Sequence, residues 1–283
     1  MREWTGLRAA GERYDAVLCD LWGVVHDGRR AFVPALEALV AFRERGGRVV
    51  LLSNVPKTRE PIPGQLDRLG VPRAAWDAIV TSGDAIRAEF AARAPGPMHL
   101  FGPPEDGELW EGLRMELSDL ENAAFLAATG LNDFERDEPA HYRPVLARAR
   151  ELGLVMLCAN PDIVVRLGKH LYWCAGALAQ EYTNLGGEVV LAGKPHGPIY
   201  ELAFAELRRL LGREPQKGRV LAIGDGPGTD ILGANRQGLD SLFVARGIHG
   251  HDLGQVVELD LAAAEAVLAN EGVRADFGAL ELH

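Results

Sequence analysis

Lysine is scarce in this chain of 283 residues: Lys57, Lys169, Lys194 and Lys217 are the only four. The net charge of −10 argues against nucleic acid or an anionic membrane as a general partner, although a local basic pocket for phosphate remains open. Cysteine is scarce as well. Cys19, Cys158 and Cys174 are odd in number, lack close metal-type spacing and stand in apolar company, so they read as reduced core thiols. No apolar run approaches the roughly 18 residues of a membrane span. No basic leader followed by an apolar stretch opens the chain, and a cytoplasmic protein is expected. Repeats and low-complexity tracts are also missing. What remains, 47% hydrophobic and 25% charged, is the composition of a globular protein large enough for one large α/β domain or two domains.

The pattern along the chain is alternating. An apolar run, Ala16-Val17-Leu18-Cys19, delivers Asp20 to the turn Trp22-Gly23-Val24-Val25. A helical period through Leu36, Leu39, Val40 and Phe42 follows, then the buried strand Arg48 to Leu52 ending at Ser53-Asn54. A helix around Ile62 to Leu69, a strand Ala78 to Thr81 and a helix through about Arg93 continue the rhythm. Beyond the break Ala94-Pro95-Gly96-Pro97, strands are expected near residues 99–101, 124–127 and 155–158, with helices near Glu108 to Met115 and Pro144 to Leu152. Asn160-Pro161-Asp162 reads as a turn. A helix over Cys174 to Tyr182 leads to the strand Val189 to Ala192, which runs into Gly193-Lys194-Pro195-His196. A helix from Ile199 to Leu211 and the strand Arg219 to Ile223 precede Gly224-Asp225 and Thr229-Asp230, and a helix over Leu261 to Leu268 closes the pattern.

Such a β-α-β rhythm implies a parallel sheet covered by helices, whose ligands bind beyond the carboxyl ends of the strands. Asp20, Ser53, Lys194, Asp225 and Asp230 all fall at such ends. Taken singly, Asp20 and Ser53 could each cap a turn or a helix, and Lys194 could be a solvated surface residue. Taken together they make a different object. Three carboxylates on one edge repel each other and raise one another's pKa unless a cation neutralises them. An oxygen-rich, half-open site of this kind fits Mg²⁺, and a lysine and a hydroxyl beside it complete a phosphate cradle. A dinucleotide fingerprint fails, because the G-x-G-x-x-G register breaks at Thr229 and the segment belongs to the last α/β unit.

On these residues the chain resembles the haloacid dehalogenase superfamily, in particular its class IIA, NagD-like branch. Asp20-Leu21-Trp22-Gly23-Val24 stands where the family has D-x-D-G-[TV], and Ser53-Asn54, Gly193-Lys194-Pro195-His196 and Gly224-Asp225 through Thr229-Asp230 supply the remaining motifs in order. The resemblance implies a Rossmann-like parallel-sheet core over residues 1–83 and 190–283, with an inserted α/β cap over 84–189 whose N-P-D turn is Asn160-Pro161-Asp162. It implies a Mg²⁺-dependent phosphatase for a small phosphorylated metabolite, with Asp20 as nucleophile through an aspartyl-phosphate. By the same resemblance Ser53, the Asn54 backbone and Lys194 hold the phosphoryl group. Asp20, the Trp22 carbonyl and Asp225 hold the metal, Asp230 supports it or orients Lys194, and Asn160 and Asp162 contribute to substrate contact. A homodimer through the cap is implied too.

One position departs from the pattern: Trp22 replaces the second aspartate, which protonates the leaving group. General acid-base catalysis is worth about 10² to 10⁴ in rate, so the loss weakens turnover more for poor leaving groups than for good ones. His26 or Asp27 is a candidate substitute, and Trp22 itself either stacks on substrate or packs beneath the cap. Two other outcomes stay open: a phosphate-binding sensor with little turnover, and a phosphotransferase.

Overall fold

The computed structural model describes residues 1–10, 12–167, 170–246 and 259–283, so that Lys169 and Gly247 lie outside the described residues. Thirteen strands are described, β1 (Arg2–Glu3), β2 (Ala16–Cys19), β3 (Arg48–Ser53), β4 (Ala78–Thr81), β5 (Met98–Phe101), β6 (Phe125–Ala128), β7 (Met156–Cys158), β8 (Val164–Leu167), β9 (His170–Trp173), β10 (Val189–Leu191), β11 (Val220–Gly224), β12 (Asp240–Val244) and β13 (Phe277–Ala279). The α-helices are α1 (Leu7–Ala10), α2 (Val33–Glu44), α3 (Ile62–Arg68), α4 (Ser82–Arg93), α5 (Arg143–Glu151), α6 (Ala175–Asn184), α7 (Gly197–Leu211), α8 (Leu232–Gln237) and α9 (Leu261–Asn270).

Seven strands form one parallel sheet in the order β1-β13-β12-β11-β2-β3-β4. Its central strands are apolar on both faces because both are covered. Successive side chains alternate sides: Val17, Cys19, Val49 and Leu51 pack with Leu39 and Phe42 of α2, whereas Ala16, Leu18, Val50 and Leu52 pack with Ile86 and Phe90 of α4 and Ile199 and Ala203 of α7. The register of β2 aligns Cys19 with Ile223 of β11 on one side and Leu51 of β3 on the other. The strand ends that precede Asp20, Asp225 and Asn54 are thereby brought level.

A second parallel sheet, ordered β10-β7-β6-β5, is built from the chain between β4 and α7. Its outer face packs on α5 and α6 through Leu146, Leu178 and Tyr182. Its inner face adds Phe125, Ala127 and Leu157 to the apolar cluster that also holds Val50, Val80 and Phe90. β10 straddles the expected boundary at 189/190, and the chain returns to the large sheet's cluster at Ala192 and α7.

Two features differ from the sequence reading. The helix expected near Glu108 to Met115 is instead a 3₁₀ turn over Pro104–Trp110, and Arg114 takes a left-handed backbone with φ 55° that an α-helix does not accept. An antiparallel hairpin, β8 with β9, follows the Asn160-Pro161-Asp162 turn in a stretch with no expected strand. Its residues are half-buried or exposed, so no long apolar run marks it.

Candidate active site

At the carboxyl ends of β2, β3 and β11 a pocket of about 440 Å³ opens, lined by Asp20, Ser53, Asn54, Lys194, Asp225 and Asp230 together with Trp22, Asn160 and Asp162. Asp20, Ser53, Asn54, Lys194, Asp225 and Asp230 are all buried. The centre is Lys194. Its Nζ donates to Asp20 Oδ1 at 2.6 Å and to Asp230 Oδ1 at 2.8 Å. Burial works against an ammonium here, but Asp20, Asp230 and Asp162 outweigh it and hold Lys194 protonated well beyond its ordinary range. Asp230 is fixed from its other oxygen, which accepts from the Gly226 N–H at 3.1 Å as the chain makes a π-helical turn over Pro227–Ile231.

Asn54 fastens the lysine segment to β3. Its Oδ1 accepts the Lys194 N–H at 2.8 Å, while its Nδ2 donates to the Lys194 carbonyl at 3.1 Å and to Asp162 Oδ1 at 2.8 Å. One amide therefore ties the large sheet, the lysine loop and the Asn160-Pro161-Asp162 turn. That turn is an Asx turn in which the Asp162 N–H donates to Asn160 Oδ1 at 3.1 Å. Ser53 is 2% exposed, and its Oγ accepts the Val55 N–H at 3.3 Å.

Carboxylate oxygens of Asp20, Asp225 and Asp230 lie within 4.8 Å of one another. Lys194 bridges two of these carboxylates, and with all three ionised the cluster would carry an excess of two negative charges. Burial pushes the Asp20 carboxyl well above the usual carboxylate range; Lys194 pulls it down, and Asp230 and Asp225 push it up further. A divalent cation would cancel that excess and keep Asp20 ionised, and an all-oxygen donor set suits a hard ion such as Mg²⁺. Gly23 has φ 79°, and a β-carbon there would fall 2.0 Å from Asp225 Oδ2, so only glycine lets the backbone after Trp22 lie against this carboxylate.

The two substitute proton donors fare differently from expectation. His26 is 1% exposed and does not line the pocket: its Nδ1 accepts the Gly28 N–H at 3.1 Å, and burial lowers its pKa to about 4. Asp27 does line the pocket. Burial works upward on its carboxyl, but the Arg29 and Arg30 backbone N–H groups and the Arg30 guanidinium hold it below the usual range, which suits an ion rather than an acid. Three lining arginines, Arg30, Arg166 and Arg246, escaped the sequence reading because none belongs to a strand-end motif.

Comparison with known proteins identifies the family to which this fold belongs. Two family models match, haloacid dehalogenase-like hydrolase over residues 17–115 and HAD-hydrolase-like over residues 191–268. The crystal structure of a hydrolase of the haloacid dehalogenase-like family from Brucella suis 1330 superposes with a TM-score of 0.88 at 40% identity, covering 100% of both chains. D-glycerol 3-phosphate phosphatase of Mycobacterium tuberculosis is 27% identical over an alignment of 259 residues that covers 86% of this chain but only 66% of that protein, just under two thirds of its length. A glycerol phosphate phosphatase from Mycobacterium tuberculosis in complex with magnesium shares the fold, with a TM-score of 0.67 at 22% identity over 96% of this chain and 76% of that one. The chain belongs to the haloacid dehalogenase-like family of hydrolases.

Proposed function

We propose that this protein is a Mg²⁺-dependent phosphatase of a small phosphorylated metabolite, acting through an aspartyl-phosphate on Asp20. The observation that carries the reading is the Lys194 ammonium shared between Asp20 and Asp230 at 2.6 and 2.8 Å inside a buried cluster of carboxylates. Asp20 forms the bond to phosphorus as the bond to the leaving oxygen breaks, and water then cleaves the acyl phosphate. Lys194 balances charge on the nucleophile and the phosphoryl oxygens, and Ser53 and the Asn54 backbone N–H bind those oxygens. Asp20, Asp225 and the Trp22 carbonyl would hold Mg²⁺, with Asp230 at its margin. When bound, the ion neutralises the carboxylates and the incoming phosphate charge. A cytoplasmic setting belongs to the same proposal, supported by three buried free cysteines and the acidic composition. A homodimer through the cap is part of it as well, supported only by the family resemblance.

A second reading has a specific observation behind it. Trp22 occupies the proton donor's position, His26 is shut away from the pocket and Asp27 is held ionised, so a binding protein with little turnover is the alternative. An activated aryl phosphate separates the two. Phosphate release that requires Mg²⁺ and disappears in Asp20→Asn supports the phosphatase; stoichiometric binding without release supports the sensor. Phosphoryl appearing on an added alcohol in preference to water would instead identify a phosphotransferase.

A further inference from the structure

The 440 Å³ pocket lies in the range of sites for whole small molecules, so much of it faces the body of a substrate beyond the phosphoryl group. Two chemistries line that remainder. One is apolar: Trp22, Phe32, Val55 and Pro56 from the large-sheet side and Val164 and Val165 from the β8–β9 hairpin. The other is cationic. Arg30, Arg166 and Arg246 come from three separate segments, the loop after Gly28, strand β8 and the chain beyond β12, yet line the same pocket in a protein whose net charge is −10. Arg30 faces Asp27 at 3.4 Å, and Arg246 is positioned by Glu281 at 3.1 Å from the C-terminal segment. A guanidinium is a planar fork that matches a carboxylate or phosphate, which a lone ammonium is not.

Trp22 belongs to the apolar wall and is held in place from outside the pocket. Its ring meets the His26 ring edge-on, with centroids 5.1 Å apart at 72°. At Gly28 a β-carbon would fall 2.4 Å from Trp22 Cη2 and 2.8 Å from Leu167 Cδ1, so the indole fills a slot that a side chain at Gly28 would occupy, with Leu167 of the hairpin at the same spot. His26, buried and committed to the Gly28 N–H, keeps that slot rigid. An indole fixed in this way offers an aromatic partner a surface at little entropic cost.

We propose that the substrate is an aryl phosphomonoester with a second anionic group. Its phosphoryl group meets Asp20 and Lys194, its ring lies against Trp22 and the apolar wall, and its second anion meets the three arginines. This rests on the phosphatase reading and gives Trp22 a positive use as a specificity residue. The test compares 4-carboxyphenyl phosphate with its neutral isostere 4-carbamoylphenyl phosphate and with glycerol 3-phosphate. In the wild-type protein with Mg²⁺, kcat/KM for the carboxylate ester should exceed that for the amide about tenfold or more. The triple variant Arg30→Ala/Arg166→Ala/Arg246→Ala should bring that ratio close to one, and Trp22→Ala should weaken both aryl esters about tenfold while affecting glycerol 3-phosphate far less. Equal kcat/KM for the two aryl esters, or a preference for glycerol 3-phosphate over both, overturns the proposal. Calorimetric titration of the same three esters into Asp20→Asn protein reads recognition without turnover. A carboxylate preference there with no hydrolysis by the wild type removes the phosphatase reading and keeps the dianionic aryl ester only as a bound ligand; hydrolysis with no preference in either assay keeps the phosphatase and overturns this inference.

Discussion

Replacing Asn54 with alanine tests whether the active site is held together by one amide. The substitution removes three hydrogen bonds at once, to the Lys194 N–H at 2.8 Å, the Lys194 carbonyl at 3.1 Å and the Asp162 carboxylate at 2.8 Å. Two are neutral and one involves a charge, and the groups left behind are largely buried, so the loss is about 4 kcal/mol. For a chain of this size that lowers the thermal midpoint by roughly 8 to 16 °C. Activity should fall further than stability alone requires, because the Lys194 backbone is released from β3 and the ammonium's aim at Asp20 relaxes. A misplacement of this kind costs about 10² in kcat. Asn54→Asp sharpens the test: it places a carboxylate oxygen against Asp162 Oδ1 where the amide nitrogen was. Burial already pushes the Asp162 carboxyl upward, so the facing pair should share a proton at acid pH and the variant should recover stability as pH falls from 8 to 5. Differential scanning calorimetry and steady-state kinetics at several pH values measure both. A thermal midpoint within 2 °C of wild type for Asn54→Ala, with unchanged kcat, would refute the clamp.

Trp22→Asp should raise kcat for alkyl phosphates by up to about 10² and for activated aryl phosphates little, since only poor leaving groups need the proton. A uniform change across leaving groups removes the missing-acid explanation. Saturating Mg²⁺, at about a hundred times its Kd, should stabilise the protein by roughly 2.7 kcal/mol in urea unfolding, and Asp225→Asn should abolish that increment. An undiminished increment in the variant means that the ion binds elsewhere. His26, buried with its pKa lowered from 6.5 to about 4, contributes stability that is full above pH 6.5 and lost as pH falls toward 4. The fall is worth roughly 3 kcal/mol, and a His26→Gln variant should lose correspondingly less stability between pH 7 and 4.5.

Strand-end residues were the legible part of this chain. Asp20, Ser53, Asp225 and Asp230 could be placed on one edge because a parallel sheet has only one carboxyl edge, and buried apolar runs announce its strands; Lys194 reaches the same pocket from the end of β10, which belongs to the other sheet, so the shared edge expected for it is not what brings it there. What escaped depends on contacts between distant segments. Nothing in the period of the sequence places Arg166 and Arg30 in one pocket, or says that the Asn54 side chain, not only its backbone, engages Lys194 across 140 positions. The β8–β9 hairpin was missed because its residues are only partly buried. The helix expected near Glu108 failed for a backbone reason, with left-handed residues at Gly112 and Arg114 where apolar spacing alone suggested continuity. His26 looked available because a polar residue near a motif ordinarily faces solvent, whereas it is packed inside the loop that carries Trp22.

The apolar cluster shared by the two sheets has a consequence for how this protein can be taken apart. Phe90, Phe125, Leu157, Val50 and Val80 belong to a single cluster, with α4 touching both β4 and β7. An insert excised from this chain would carry away half of that cluster as a bare greasy face, and the remaining halves of the large sheet would lose the covering of their inner side. Neither piece is a portable module. Heat should therefore melt the two sheets in one calorimetric transition, and exchanging the insert with that of a relative should succeed only when the residues facing α4 and α7 are exchanged along with it.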